Sequence, residues 1–126
     1  MAKRTIIVVD DEPMIVKVVK DIFKEEGYKV ITALSGQEAL EKLDKTKVDL
    51  ILLDIMMPGM DGWDTCAKIK DNKKTENIPI IFLTAKADPI SRSMGGLAST
   101  DYITKPFGIK DLKDRVDSVI KSKNKK

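Results

Sequence analysis

The chain has 126 residues, 42% hydrophobic and 34% charged, the size and composition of one globular core rather than two. With one cysteine and no histidine, it has no internal disulfide, no zinc-finger ligand set and no Ser-His or Cys-His dyad. The formal charge of +3 is a property of the end, because Lys121, Lys123, Lys125 and Lys126 leave the rest slightly acidic, without the basic face a nucleic-acid binder needs.

Apolar runs of strand length alternate along the chain with amphipathic stretches of helix length, the pattern of a parallel sheet wrapped by helices. Residues 5–9 read as the first strand. Pro13, after Asp10, Asp11 and Glu12, suits a first helical turn; Ile15, Val18, Val19 and Ile22 then recur at helical spacing up to Gly27, a natural stop. Residues 28–33 form a second strand. Ser35 with Glu38 three positions on is a capping-box pattern, opening a helix that carries Ala39, Leu40 and Leu43.

Residues 48–53 are almost continuously apolar, which predicts a central strand covered on both faces, and the run stops at Asp54. Pro58, Gly59, Asp61 and Gly62 mark a turn before a helix over 63–70. Residues 78–83 are the fourth strand, ending at Thr84. A fourth helix falls within 89–97, where Gly95 and Gly96 are poor helix formers. Residues 101–104 give a short fifth strand, Lys105 and Pro106 a turn, and 109–121 a last helix with Leu112, Val116, Val119 and Ile120 on one face. The whole chain reads as one α/β unit. No apolar run approaches the roughly 20 residues of a membrane span, and the opening residues lack the pattern of a secretory signal, so a cytoplasmic setting without membrane contact is expected.

In an open parallel sheet, ligands bind outside the C-terminal strand edge, where the strand order reverses. The strand ends here carry Asp10 and Asp11, Asp54, Thr84 and Lys105. Each alone has an ordinary reading, since aspartate and threonine cap turns and helices and Lys-Pro makes a turn. Three carboxylates on one edge do not serve stability, because like charges a few Å apart repel by roughly 1 kcal/mol in water and by more when partly buried. Lys105 offsets one charge. A hard divalent cation with oxygen ligands suits the remainder, and Mg²⁺ takes one or two protein carboxylates while keeping room for phosphate oxygens. The expected site is Mg²⁺ at Asp11 and Asp54, with Asp10 acting directly or through water.

The segments VVDDEP at 8–13, LLDIMMPGMDG at 52–62, IIFLTAK at 80–86 and DYITKPF at 101–107 together resemble a response-regulator receiver domain of the CheY-like type, over essentially the whole chain. The resemblance implies a flavodoxin-like, doubly wound three-layer sandwich whose five parallel strands run in the order 2-1-3-4-5 with helices on both faces. Residues 1–122 are the expected receiver and 123–126 a basic tail.

By the same resemblance Asp54 accepts a phosphoryl group from a histidine kinase or histidine phosphotransfer protein, or from a small donor such as acetyl phosphate. Asp10, Asp11, Asp54 and the carbonyl of Met56 hold Mg²⁺; Lys105 and Thr84 contact phosphoryl oxygens; Thr84 and Tyr102 form a switch that alters the fourth helix, fifth strand and last helix; Pro106 is a cis-proline that aims Lys105. The implied role is signalling, with no enzymatic activity beyond assisting its own phosphorylation and dephosphorylation. The implied partners are the phosphodonor and a downstream effector protein, with no direct nucleic-acid contact, in a monomer or weak phosphorylation-dependent dimer. The chain departs from the family at 98–101, where Ala98, Ser99, Thr100 and Asp101 replace Gly-Ala-Asp-Asp.

Two other readings share parts of this pattern. A haloacid-dehalogenase-like phosphohydrolase also uses a strand-end aspartate and Mg²⁺, but needs Asp-x-Asp where this chain has Asp10, Asp11, Glu12 and Pro13. A flavodoxin-like FMN carrier needs a phosphate-cradling loop after the first strand, where carboxylates repel phosphate.

Overall fold

Five parallel strands hold the most apolar segments: β1 (Thr5–Val9), β2 (Lys29–Ala33), β3 (Leu50–Asp54), β4 (Ile80–Ala85) and β5 (Asp101–Lys105). The structure is a computed structural model and describes residues 4–85, 101–105 and 107–124. The strand order is β2-β1-β3-β4-β5, as the resemblance implies. Val9 at the end of β1 is in register with Ala33 on one side and Leu53 on the other. The chain first winds from β1 outward to β2, then returns past β1 to β3, so the order reverses between the C-terminal ends of β1 and β3.

The described helices are α1 (Pro13–Glu25), α2 (Gly36–Lys45), α3 (Gly62–Lys70) and the C-terminal α4 (Ile109–Asn124). Alternate strand residues feed two cores. Ile6 and Val8 pack with Val16, Val19 and Phe23 of α1 and with Leu112, Val116 and Ile120 of α4. Ile7 and Val9 pack with Ala39 and Leu43 of α2 and with Cys66 and Ile69 of α3. All five residues of β3 are buried, because it lies between both neighbours in the sheet and under helices on both faces.

Element ends differ from the sequence reading where local chemistry intervenes. β3 begins at Leu50 because Asp49 turns its carboxylate back to accept from the amide of Thr5, at 2.9 Å. β4 begins at Ile80, since Pro79 has no amide hydrogen to pair, although its carbonyl accepts from Ile51 at 3.0 Å. On α1 the buried row is Val16, Val19 and Phe23, while Val18 is 42% exposed. The apolar run IVKVV offers two overlapping stripes, and periodicity alone selects the wrong one for Val18. The fourth helix expected within 89–97 lies outside the described residues, as does Pro106.

Candidate functional site

The site forms where the order reverses. Asp10 directly follows β1 and is fully buried; Asp54 ends β3 and is 4% exposed. One oxygen each from Asp10, Asp11 and Asp54 lie within 4.8 Å of one another. Asp10 is held at both oxygens: Oδ1 accepts from the Glu12 amide at 3.0 Å, and Oδ2 accepts from the Lys105 ammonium at 2.8 Å. The Asp10 amide itself donates to Ala33 at 3.1 Å. Lys105 Nζ also donates to Asp54 Oδ1 at 3.2 Å and lies 3.8 Å from Glu12.

Burial, reinforced by the neighbouring Asp10, pushes the Asp54 carboxyl up from 3.8 to about 6, against the opposing pull of Lys105. Burial lowers the affinity of Lys105 for its proton, but the hydrogen bond and charge of Asp10, joined by Asp54, outweigh it and raise its pKa. The Lys105 ammonium thus contacts two of the three clustered carboxylates and the edge of Glu12. The residues fit a divalent cation: oxygen donors only, converging within bonding reach of one point, with excess negative charge and with Asp11 reaching solvent so that water can complete the shell.

The structure brings together Asp10, Asp11, Asp54 and Lys105 from the sequence-derived set. Met56 follows Asp54 by two residues, and its side chain is 67% exposed; the next residue, Met57, is buried in the core. Thr84 stands near the end of β4, in register with Thr104, and its side chain lies outside the described residues. Tyr102 is half-buried, its ring stacked on Phe82 with centroids 5.9 Å apart. Its carbonyl accepts from Arg115 at 2.8 Å. Sequence reasoning missed Glu12, although it extends the acidic run after β1, and Gly62, whose importance depends on a three-dimensional approach.

Comparison with known proteins agrees with this geometry. The response regulator receiver domain family matches residues 6–117. The chain is 40% identical over 119 residues to the alkaline phosphatase synthesis transcriptional regulatory protein PhoP of Bacillus subtilis, covering 94% of this chain and 49% of that protein. It therefore spans about half the length of such curated relatives. Among solved structures it is similar to the Vibrio cholerae chemotaxis protein CheY4 (TM-score 0.88, 30% identity, 94% of this chain and 99% of that one). It is also similar to the response regulator TrrA of Thermotoga maritima in complex with Mg(2+)-BeF (TM-score 0.80, 39% identity, 92% of this chain and 98% of that one).

Proposed function

The chain belongs to the response regulator receiver domain family, and from that premise we propose that Asp54 is its phosphoacceptor and that Asp10, Asp11, Asp54 and the Met56 carbonyl form its Mg²⁺ site. Receiver domains are phosphoacceptor signalling domains of two-component systems; they bind Mg²⁺ at an acidic pocket and interact with histidine kinases and downstream effectors. The single observation that carries the assignment is the convergence of the three carboxylates with the Lys105 ammonium at the C-terminal edge of β1, β3 and β5.

The chemistry follows from the positions. An Asp54 carboxylate oxygen attacks phosphorus, and the bond from phosphorus to the leaving imidazole nitrogen, or to the acetate oxygen of acetyl phosphate, breaks, leaving an acyl phosphate. Bound Mg²⁺ supplies positive charge to the transferring oxygens. Lys105, already within reach of Asp54 Oδ1, pairs with a phosphoryl oxygen, and the family pattern gives Thr84 another. Asp10, fixed by Lys105 and the Glu12 amide, holds the carboxylate cluster in place. Positioning and electrostatics supply the catalysis, and no other activity is proposed.

The output reading extends the same premise. Thr84 moves toward the acyl phosphate, Tyr102 rotates inward, and the surface of the expected fourth helix, β5 and α4 changes for an effector protein. Phosphorylation selects one of two arrangements by charge-assisted hydrogen bonds. Residues 1–122 act as the receiver and 123–126 as a basic tail; the setting is the cytoplasm, the donor a sensor kinase or histidine phosphotransfer protein, and any dimer weak and dependent on phosphorylation. Incubation with radiolabelled acetyl phosphate tests the core of this reading. Label is expected with Mg²⁺ and is expected to disappear with a chelator; equal labelling without metal contradicts the assignment.

A further inference from the structure

Gly62 opens α3 against the main chain of Asp54 and Ile55. Its amide donates to the Ile55 carbonyl at 2.8 Å. A Cβ at this position would collide with the Asp54 carbonyl oxygen and stand 2.6 Å from the Ile55 Cα. Both are main-chain atoms, which cannot swing aside as a flexible side chain can. Nor can the end of β3 simply retreat, because the Ile55 amide donates to the Leu83 carbonyl at 3.2 Å and Asp54 is in register with Leu83 on β4. Any side chain at 62 therefore displaces Asp54 and Ile55 or the 56–61 loop, the two segments that carry the Asp54 carboxylate and the Met56 carbonyl.

We propose that Gly62 is a positioning residue for the metal centre: its missing side chain lets α3 begin against the end of β3 and so keeps the Asp54–Met56 segment where the Asp54 carboxylate meets Asp10 and Asp11. The inference rests on the Mg²⁺ reading of the site. Gly36 supplies a contrast within the same fold. A Cβ there would meet the Thr65 hydroxyl, which donates to the Asp61 carbonyl at 2.8 Å, and approach Met60 Sδ to 3.1 Å, so it presses on the 56–61 loop through side chains alone and not on the main chain that ends β3. Gly36 is thus required for helix packing, and Gly62 for the geometry of the site.

Calorimetric titration of the full chain with MgCl₂, in concentrated sucrose to favour the folded state, separates the two roles. The wild type binds the ion; Gly62→Ala, folded by circular dichroism, binds about tenfold or more weakly, since small misplacements at a preorganised centre carry large penalties. Gly36→Ala melts at lower temperature but binds within about twofold of wild type. Should Gly62→Ala fail to fold even in sucrose, a matched pair of cap variants reads the same coupling. Asp61→Ala removes the acceptor for the Asp64 amide at the start of α3 and weakens Mg²⁺ binding, whereas Ser35→Ala, the equivalent change at α2, does not. The inference is overturned if folded Gly62→Ala binds like wild type, if Gly36→Ala weakens binding equally, or if the two cap variants behave alike. A wild type that binds no Mg²⁺ removes the site reading and the inference together, a result distinct from all of these.

Discussion

The Lys105 ammonium lies 3.2 Å from Oδ1 of Asp54, a contact that joins the ends of β5 and β3 across the intervening β4. The lysine also holds Asp10 at 2.8 Å, so one cation keeps two buried carboxylates together. The lysine thereby offsets part of the burial penalty and mutual repulsion that the two carboxylates bear.

Removing that cation has a defined effect on Asp54. Lys105 opposes the upward pull of burial and of Asp10 on a carboxyl that already sits at about 6. In Lys105→Met the Asp54 carboxyl is expected to titrate above 6, read by carbon-detected NMR of the carboxyl group in metal-free protein. An unchanged or lower midpoint contradicts the electrostatic account.

The same raised value makes Asp54 a burden on stability near neutral pH. Between 3.8 and about 6 the folded chain retains a proton that the unfolded chain has released. The favourable contribution is therefore complete at acid pH below the unfolded value and is lost as pH rises through about 6. Metal-free Asp54→Asn, which cannot ionise, is expected to be more stable than wild type at about pH 7.5 by on the order of 1 to 3 kcal/mol. The advantage closes toward about pH 4. Thermal melts at the two pH values check it, and a gap that widens on acidification refutes it.

Much of this architecture can be read from the chain, for physical reasons that also explain the failures. The continuous apolar run of β3 requires a strand covered on both faces, and abrupt charge at Asp10 and Asp54 marks the strand edge where a site forms. Ser35 caps α2 as its spacing predicts, accepting from the Glu38 amide at 3.0 Å. The reciprocal bond goes from the Leu34 amide to Glu38 Oε1 at 2.9 Å, one residue before the cap itself, while Glu38 Oε2 pairs with Lys42 at 2.8 Å. Val18 escaped a correct reading because two apolar stripes overlap on α1. Gly62 was read only as part of a turn, since nothing local reveals that the Asp54 and Ile55 backbone will lie against it.

Met56 offers a test of backbone ligation. Its side chain is 67% exposed, and the proposed ligand is the carbonyl, which every residue possesses. Met56→Ala is expected to bind Mg²⁺ within about twofold of wild type, as measured by calorimetry, because it leaves the carbonyl and its electrostatic surroundings intact. A loss of tenfold or more assigns the binding contribution to the side chain and contradicts the proposed ligand set.

Transfer of phosphorus to Asp54 is the claim on which the functional account stands, and intact mass spectrometry after incubation with acetyl phosphate and Mg²⁺ measures it most directly. Wild type is expected to gain one phosphoryl adduct, and Asp54→Asn, folded and treated identically, to gain none. Wild type that stays unmodified, or a variant that gains the adduct equally, contradicts the assignment of Asp54 as the acceptor.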